Sequence, residues 1–409
     1  MDSSYSSILF LLIILFIWIH TSISSRLLVC AQSSSSSNNF SITDYGAVPD
    51  GKTDSSKAFE SAWQKACQLD EGAVLVPTGT FFLSKADFNG PCNGQTLFEH
   101  RGTVIASDEP TLGSRDSWIA FTYVDSLTLV GDGTFDGNGA NSWSHCHGIV
   151  GCKQIPPYTL KVSYAKNVLI GRGLRFVDSK AFHVFIYASN NVRVEHVHIS
   201  APGDSPNTDG VHIALSNNTR ITDSIIETGD DCVSIGDGCS GVNVTGVWCG
   251  PGHGISIGSL GKYEGEGNVA EVTLKNCTFD GTENGVRIKT WAQSLSSSVV
   301  SGVTVEEIVV KGASNPIIID QFYCPGETCA PGWESSIQIK GVKFAGVKGM
   351  SATEASVSLN CSKSHPCEDI EFFGLNLTYA NGQPSVALCA NADGKFDGLS
   401  AQVPSRCST

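Results

Sequence analysis

The feature that most constrains this chain is a short run, repeated along it, in which apolar and polar residues alternate. It appears as "NVLI" from Asn167, "NVRV" from Asn191, "NTRI" from Asn218 and "GVNV" from Gly241. It continues as "EVTL" from Glu271, "GVTV" from Gly302, "SIQI" from Ser336 and "DIEF" from Asp369. The steps between successive starts are 24, 27, 23, 30, 31, 34 and 33 residues. Period-two alternation makes each run a strand with one buried face. A repeat of this length, cornered by Gly, Asn and Asp, is the sequence pattern of a solenoid. Helical patterning between the runs is nearly absent. The expected fold is therefore all-β: a right-handed parallel β-helix whose rungs contact only their neighbours. A β-sandwich would show shorter and more regular strand spacing.

One segment does carry a helical pattern. In "TDSSKAFESAWQKACQ", from Thr53 to Gln68, the residues Ala58, Phe59, Ala62, Trp63 and Ala66 share one face. Thr53 or Asp54 is placed to cap its N-terminus. A solenoid needs its open end covered, so this segment is expected to be an N-terminal capping helix.

Residues 1–31 read as a secretory signal peptide, built on the apolar run "ILFLLIILFIWI" and ending at "LLVCAQ". Residues 32–39 read as a flexible Ser-rich stub, which leaves 40–409 as a single β-helix domain. Fifteen cysteines become fourteen once Cys30 leaves with the leader, and an exported chain uses such cysteines for disulfides. Cys146 with Cys152, Cys324 with Cys329 and Cys361 with Cys367 are close enough in sequence for local bridges. The sequons at Asn39, Asn217, Asn243, Asn276, Asn360 and Asn376 fit the same route. A net charge of -14 with no basic stripe excludes nucleic acid as a partner. No membrane association is expected after leader removal, and a monomer is expected.

A second element recurs beside the first: "TDGVHIA" from Thr208, "DDCVSIG" from Asp230, "GHGISIG" from Gly252 and "ENGVRIK" from Glu283. Its second positions are Asp209, Asp231, His253 and Asn284, and the first three are spaced by 22 residues. Rungs of a parallel sheet stack about 4.8 Å apart, so equivalent positions form a column. Asp209, Asp231 and His253 are expected to converge, with Asp230 beside them. In "VRIK", Val286 and Ile288 face inward, which sends Arg287 and Lys289 outward together. Three carboxylates, an imidazole and two cations then share one groove.

These segments, "NTDG", "GDDC", "GHG" and "RIK" in this order, resemble polygalacturonases, family 28 of the glycoside hydrolases. The similarity runs from about Phe40 to the C-terminus. "CGPGHGISIGS" and "NGVRIKTW" are especially similar to the plant members. The resemblance implies Asp230 as proton donor, Asp209 and Asp231 as the pair that holds and deprotonates water, and His253 as the group tuning the acid. It implies inversion at the anomeric carbon, no metal and no cofactor. Arg287 and Lys289 would clamp the carboxylate of galacturonate, and Tyr323 would contact the sugar. His183 is a weaker candidate for substrate contact. Cys232 is expected to bridge to Cys249, fixing the rung of the acid against the rung of His253.

The implied function is hydrolysis of α-1,4-galacturonosidic bonds in pectate, by a secreted protein acting in the extracellular cell wall. The segment "SIGSLGKYEGEGNVAEV" resembles pollen-type exopolygalacturonases more than fruit-softening endo enzymes, which favours exo action. The alternatives are a hydrolase of branched pectin (rhamnogalacturonan or xylogalacturonan), or a catalytically silent pectin-binding wall protein. A calcium-dependent pectate lyase would need an acidic calcium nest and a basic proton abstractor. This site is instead rich in carboxylates.

Overall fold

A computed structural model of the protein describes residues 38–109, 117–144, 156–326, 329–330 and 332–396. The expected leader, most of the stub and the Cys146–Cys152 pair lie outside these residues.

Among the described residues the chain winds through three long sheets of 13, 13 and 11 strands, visiting them in turn on each rung. Pairing is parallel between successive rungs throughout, apart from one antiparallel pair, Thr378 with Pro384, at the end of one sheet. This is a parallel β-helix, as the repeat predicts. Its core is a stack of inward-facing Val and Ile. On the sheet that carries the candidate site, Val211, Val233, Ile255, Val286 and Ile317 form one buried column. Ile213, Ile235, Ile257, Ile288 and Ile319 form the next. Each such side chain contributes about 1.5–3 kcal/mol by leaving water.

The first positions of the recurring run have a common physical cause. Asn167, Asn191, Asn218, Gly241, Glu271, Gly302 and Asp369 all have φ between 51° and 67°. They are the left-handed corner at which one strand bends, and Asn and Gly adopt it at least cost. The Asn side chains also stack, with Asn191 Nδ2 donating to Asn167 Oδ1 at 2.7 Å. One run is misplaced. Val303 pairs with Val342, so the corner of that rung is Gly341 (φ 62°), in "GVKF", and not Ser336. The longer connection after Tyr323 displaces the repeat, and "SIQI" belongs to the strand segment upstream of the corner.

The expected helix spans Ser56–Cys67 and buries Ala58, Phe59, Ala62, Trp63 and Ala66. It packs on the strands Asn39–Ser41, Glu71–Val76 and Ala86–Asn89, so it covers the terminal strands of two sheets. Trp63 sits 5.5 Å from Phe88 and 5.3 Å from Phe121 between ring centroids, and its Nε1 donates to Asn89 O. Thr53 does not cap it. Asp54 Oδ1 accepts from the Ser56 N–H at 3.0 Å, and Asp54 also ties the helix start to Ser84.

Candidate active site

The register of the third sheet brings the sequence-predicted residues together. Val211 pairs with Val233, Val233 with Ile255 and Ile255 with Val286. Asp209, Asp231, His253 and Asn284 therefore occupy one position on four successive rungs. A cleft of about 470 Å³ opens over the first three, and Asp230, Arg287, Lys289 and Tyr323 also line it.

Glycine makes this convergence possible. Gly254 follows His253 with φ 84°, and a Cβ there would sit 2.1 Å from Asn284 O. A Cβ on Gly229, just before Asp230, would sit 2.2 Å from Ser205 O. Both backbones pass too close to a neighbouring rung for any side chain. The rung of Asp230 is then tied to the following one twice. The His253 N–H donates to Asp230 O at 2.9 Å, and Cys232 is bridged to Cys249 as expected. Cys324–Cys329 and Cys361–Cys367 are bridged too, as is Cys67–Cys92, while Cys239 and Cys277 are buried thiols.

The three carboxylates have different surroundings. Asp231 is 2% exposed and accepts from Arg287 Nη2 at 2.9 Å, Lys289 Nζ at 2.8 Å and Ser256 Oγ at 2.7 Å. Burial pushes its carboxyl up, but Lys289 and Arg287 outweigh burial and hold it at about 2. Asp209 has no cation in contact. Burial, then the charges of Asp230 and Asp231, push its carboxyl well above the usual range, against a hydrogen bond from Ser234 Oγ at 2.5 Å and the more distant charge of Lys289. Asp230 points to His253, whose Nδ1 lies 3.0 Å from Asp230 Oδ1. That hydrogen bond raises the imidazole's pKa, and Glu283 Oε2 lies 3.3 Å from the other ring nitrogen.

Arg287 and Lys289 thus spend hydrogen bonds on Asp231. The Arg287 bonds to Asp231 and Ser256 use two of its five N–H groups. The ammonium of Lys289 lies 5.5 Å from the centroid of Tyr323, the remaining sequence-predicted residue. Asp230, Asp231 and His253 also bring ligand atoms within 4.8 Å of one another, a spacing a cation could occupy. Here both oxygens of Asp231 already face protein cations. His183 is fully buried beneath the sheet, with its ring against Asp209 O at 3.2 Å and Ser200 O at 3.3 Å, so it supports Asp209 from behind.

His212, Ser234, Ser256 and Glu283 were not singled out from sequence. The first three hold the outward position occupied on the next rung by Arg287. The alternation that assigns Arg287 would have found them. His212 Nδ1 lies 2.7 Å from Ser234 Oγ. The hydroxyl gives its single proton to Asp209, so the imidazole is the donor in this chain of contacts.

The family model described as "Glycosyl hydrolases family 28" matches residues 67–402. A polygalacturonase of Prunus persica is 43% identical over 367 residues, covering 88% of this chain and 91% of that protein. An exopolygalacturonase of Zea mays is 38% identical over 392 residues, covering 95% of each. Among solved structures, the endo-xylogalacturonan hydrolase of Aspergillus tubingensis superposes with a TM-score of 0.78 at 23% identity. It covers 91% of this chain and 100% of its own. The polygalacturonase of Erwinia carotovora superposes with a TM-score of 0.67, also at 23% identity, over 85% of this chain and 96% of its own. At that identity the structures speak for the fold, a pectinase-type parallel β-helix, and the sequence relatives speak for the family. The chain belongs to family 28 of the glycosyl hydrolases.

Proposed function

We propose that this protein hydrolyses the α-1,4-galacturonosidic bonds of pectate by acid–base catalysis, with inversion and without a metal. The observation that carries the reading is the electrostatic split between Asp231 and Asp209 within a cluster of three carboxylates. Glycoside hydrolysis needs one carboxyl group to protonate the leaving oxygen and an ionised one to activate water. Asp231 is held ionised by Lys289 and Arg287, which suits it to orienting and polarising the water. Asp230 is the carboxyl joined to His253 across a 3.0 Å contact, and the raised imidazole pKa keeps a proton on that pair. We assign Asp230 as the acid. Asp209 receives the proton that the attacking water loses, its raised affinity making it the better acceptor of the two bases.

The uncommitted donors of Arg287 and Lys289 meet the substrate's carboxylate, and Tyr323 packs against the sugar. A cleft so furnished accepts an acidic polymer despite the chain's net charge of -14. Exo action is the reading we favour, in keeping with the exopolygalacturonase of Zea mays among the relatives. An extracellular site in the cell wall fits the disulfides.

Reducing-sugar release from polygalacturonate in the presence of a chelator tests the reaction, and the sizes of the earliest products test the mode. Monogalacturonate as the first product supports exo action, and a ladder of oligomers opposes it. Activity abolished by chelator, or no products at all, would overturn the hydrolytic reading.

A further inference from the structure

Beyond the cleft, the same sheet carries a trail of aromatic rings toward its N-terminal rungs. Phe185, buried at 8% exposure, lies tilted against His212 with 5.0 Å between centroids and links the trail to the cleft that His212 lines. Tyr187 follows at 5.7 Å from Phe185, and Tyr164 at 5.7 Å from Tyr187. Tyr123 then stacks on Tyr164 at 5.1 Å with an interplanar angle of 16°. Lys161 holds its ammonium 5.4 Å from the centroid of Phe185 and 5.3 Å from that of Tyr187. The trail is continuous with the cleft and carries its own cation.

The outermost rings touch one another and Tyr187 but stand outside the hydrophobic core. Tyr123 and Tyr164 are 57% and 49% exposed. Both have positive φ, 57° and 53°, at a corner that Ala188, Leu215 and Gly238 occupy on the following rungs. That conformation costs a bulky residue energy that Gly or Asn would not spend. The opposite corner of the coil uses Asn and Gly at most of its equivalent positions. Strained, exposed tyrosines stacked face to face gain little from burial, so their use lies outside the fold.

We propose that Tyr123, Tyr164 and Tyr187, with Lys161, form an accessory binding track for the distal part of an acidic polysaccharide whose reacting bond lies in the cleft. The C–H faces of sugar rings pack on aromatic faces, and Lys161 pairs with a sugar carboxylate. The proposal rests on the galacturonan reading for the identity of its occupant.

The test is the double variant Tyr123→Asn/Tyr164→Asn, because Asn tolerates the left-handed corner. Thermal unfolding should show a melting temperature equal to or above that of the parent. The loss in kcat/KM should grow with substrate length, reaching about 3–10-fold on polygalacturonate against less than about twofold on the dimer. A loss that is equal at all lengths, or absent on the polymer, would overturn the track. Electrophoresis in gels containing polygalacturonate separates this from failure of the catalytic reading. Retardation that depends on both tyrosines and is weakened by Lys161→Gln supports the track, even for an enzyme that cleaves no galacturonan. Equal retardation by a neutral glucan would overturn the acidic occupant.

Discussion

Lys289 Nζ donates to Asp231 Oδ2 at 2.8 Å, and both side chains are almost wholly buried. This pair helps hold the Asp231 carboxyl ionised. Lys289→Met leaves Asp231 with Arg287 and Ser256, and removing one partner of a buried pair costs of order 3 kcal/mol. The contribution has a definite pH window. The carboxyl of Asp231 stands at about 2 in the fold, below its ordinary 3.8. Its stabilisation is therefore complete above pH 3.8 and is lost as pH falls toward 2. Urea unfolding should show a large gap between parent and variant near neutral pH that closes over this range. A gap independent of pH would remove the ion pair as its cause.

Asp209 is the opposite case. Its carboxyl is raised by burial and by its two acidic neighbours, so the fold favours the protonated form. Such a group stabilises below its unfolded pKa, and that contribution is lost as pH rises through its folded value. Asp209→Asn keeps an acceptor for Ser234 and removes the charge. The variant should be more stable than the parent at neutral pH and equal to it under acidic conditions, while losing activity by about 10²-fold or more. A less stable variant at neutral pH would contradict the assignment.

Asp230→Asn removes the transferable proton but keeps size and polarity. Turnover should fall by about 10²–10⁴-fold with the melting temperature little changed. More than a tenth of parental turnover would place the acid elsewhere.

Cys232 adjoins Asp231, and its partner Cys249 lies four residues before His253, closing a loop with a sequence separation of 17. Chain entropy assigns such a loop roughly 3 kcal/mol. Replacing both cysteines with serine should lower kcat further than lost stability explains when measured well below the melting temperature, because the two rungs lose their fixed offset. Full kcat under those conditions would limit the bridge to stability.

Much of this site was legible before any coordinates, for a physical reason. The spacing of Asp209, Asp231 and His253 by 22 residues is the length of one rung, so a sequence interval became a spatial stack. The Val and Ile flanking Arg287 likewise fixed its outward direction. What failed to show was whatever depends on the next contact along. Residue type suggested that Arg287 and Lys289 serve the substrate, whereas the geometry turns part of each toward Asp231. The rung after Tyr323 was misaligned because alternation alone matched "SIQI", while the decisive feature is the left-handed corner at Gly341.

The most direct measurement is proton NMR of polygalacturonate during the first minutes of turnover. On the proposed assignment, water delivered by Asp231 and Asp209 on the face opposite Asp230 would yield the β-anomer at each new reducing end before mutarotation. That signal, with no vinyl proton in the product, is the predicted result. An α-anomer formed first, or an unsaturated sugar, would contradict it.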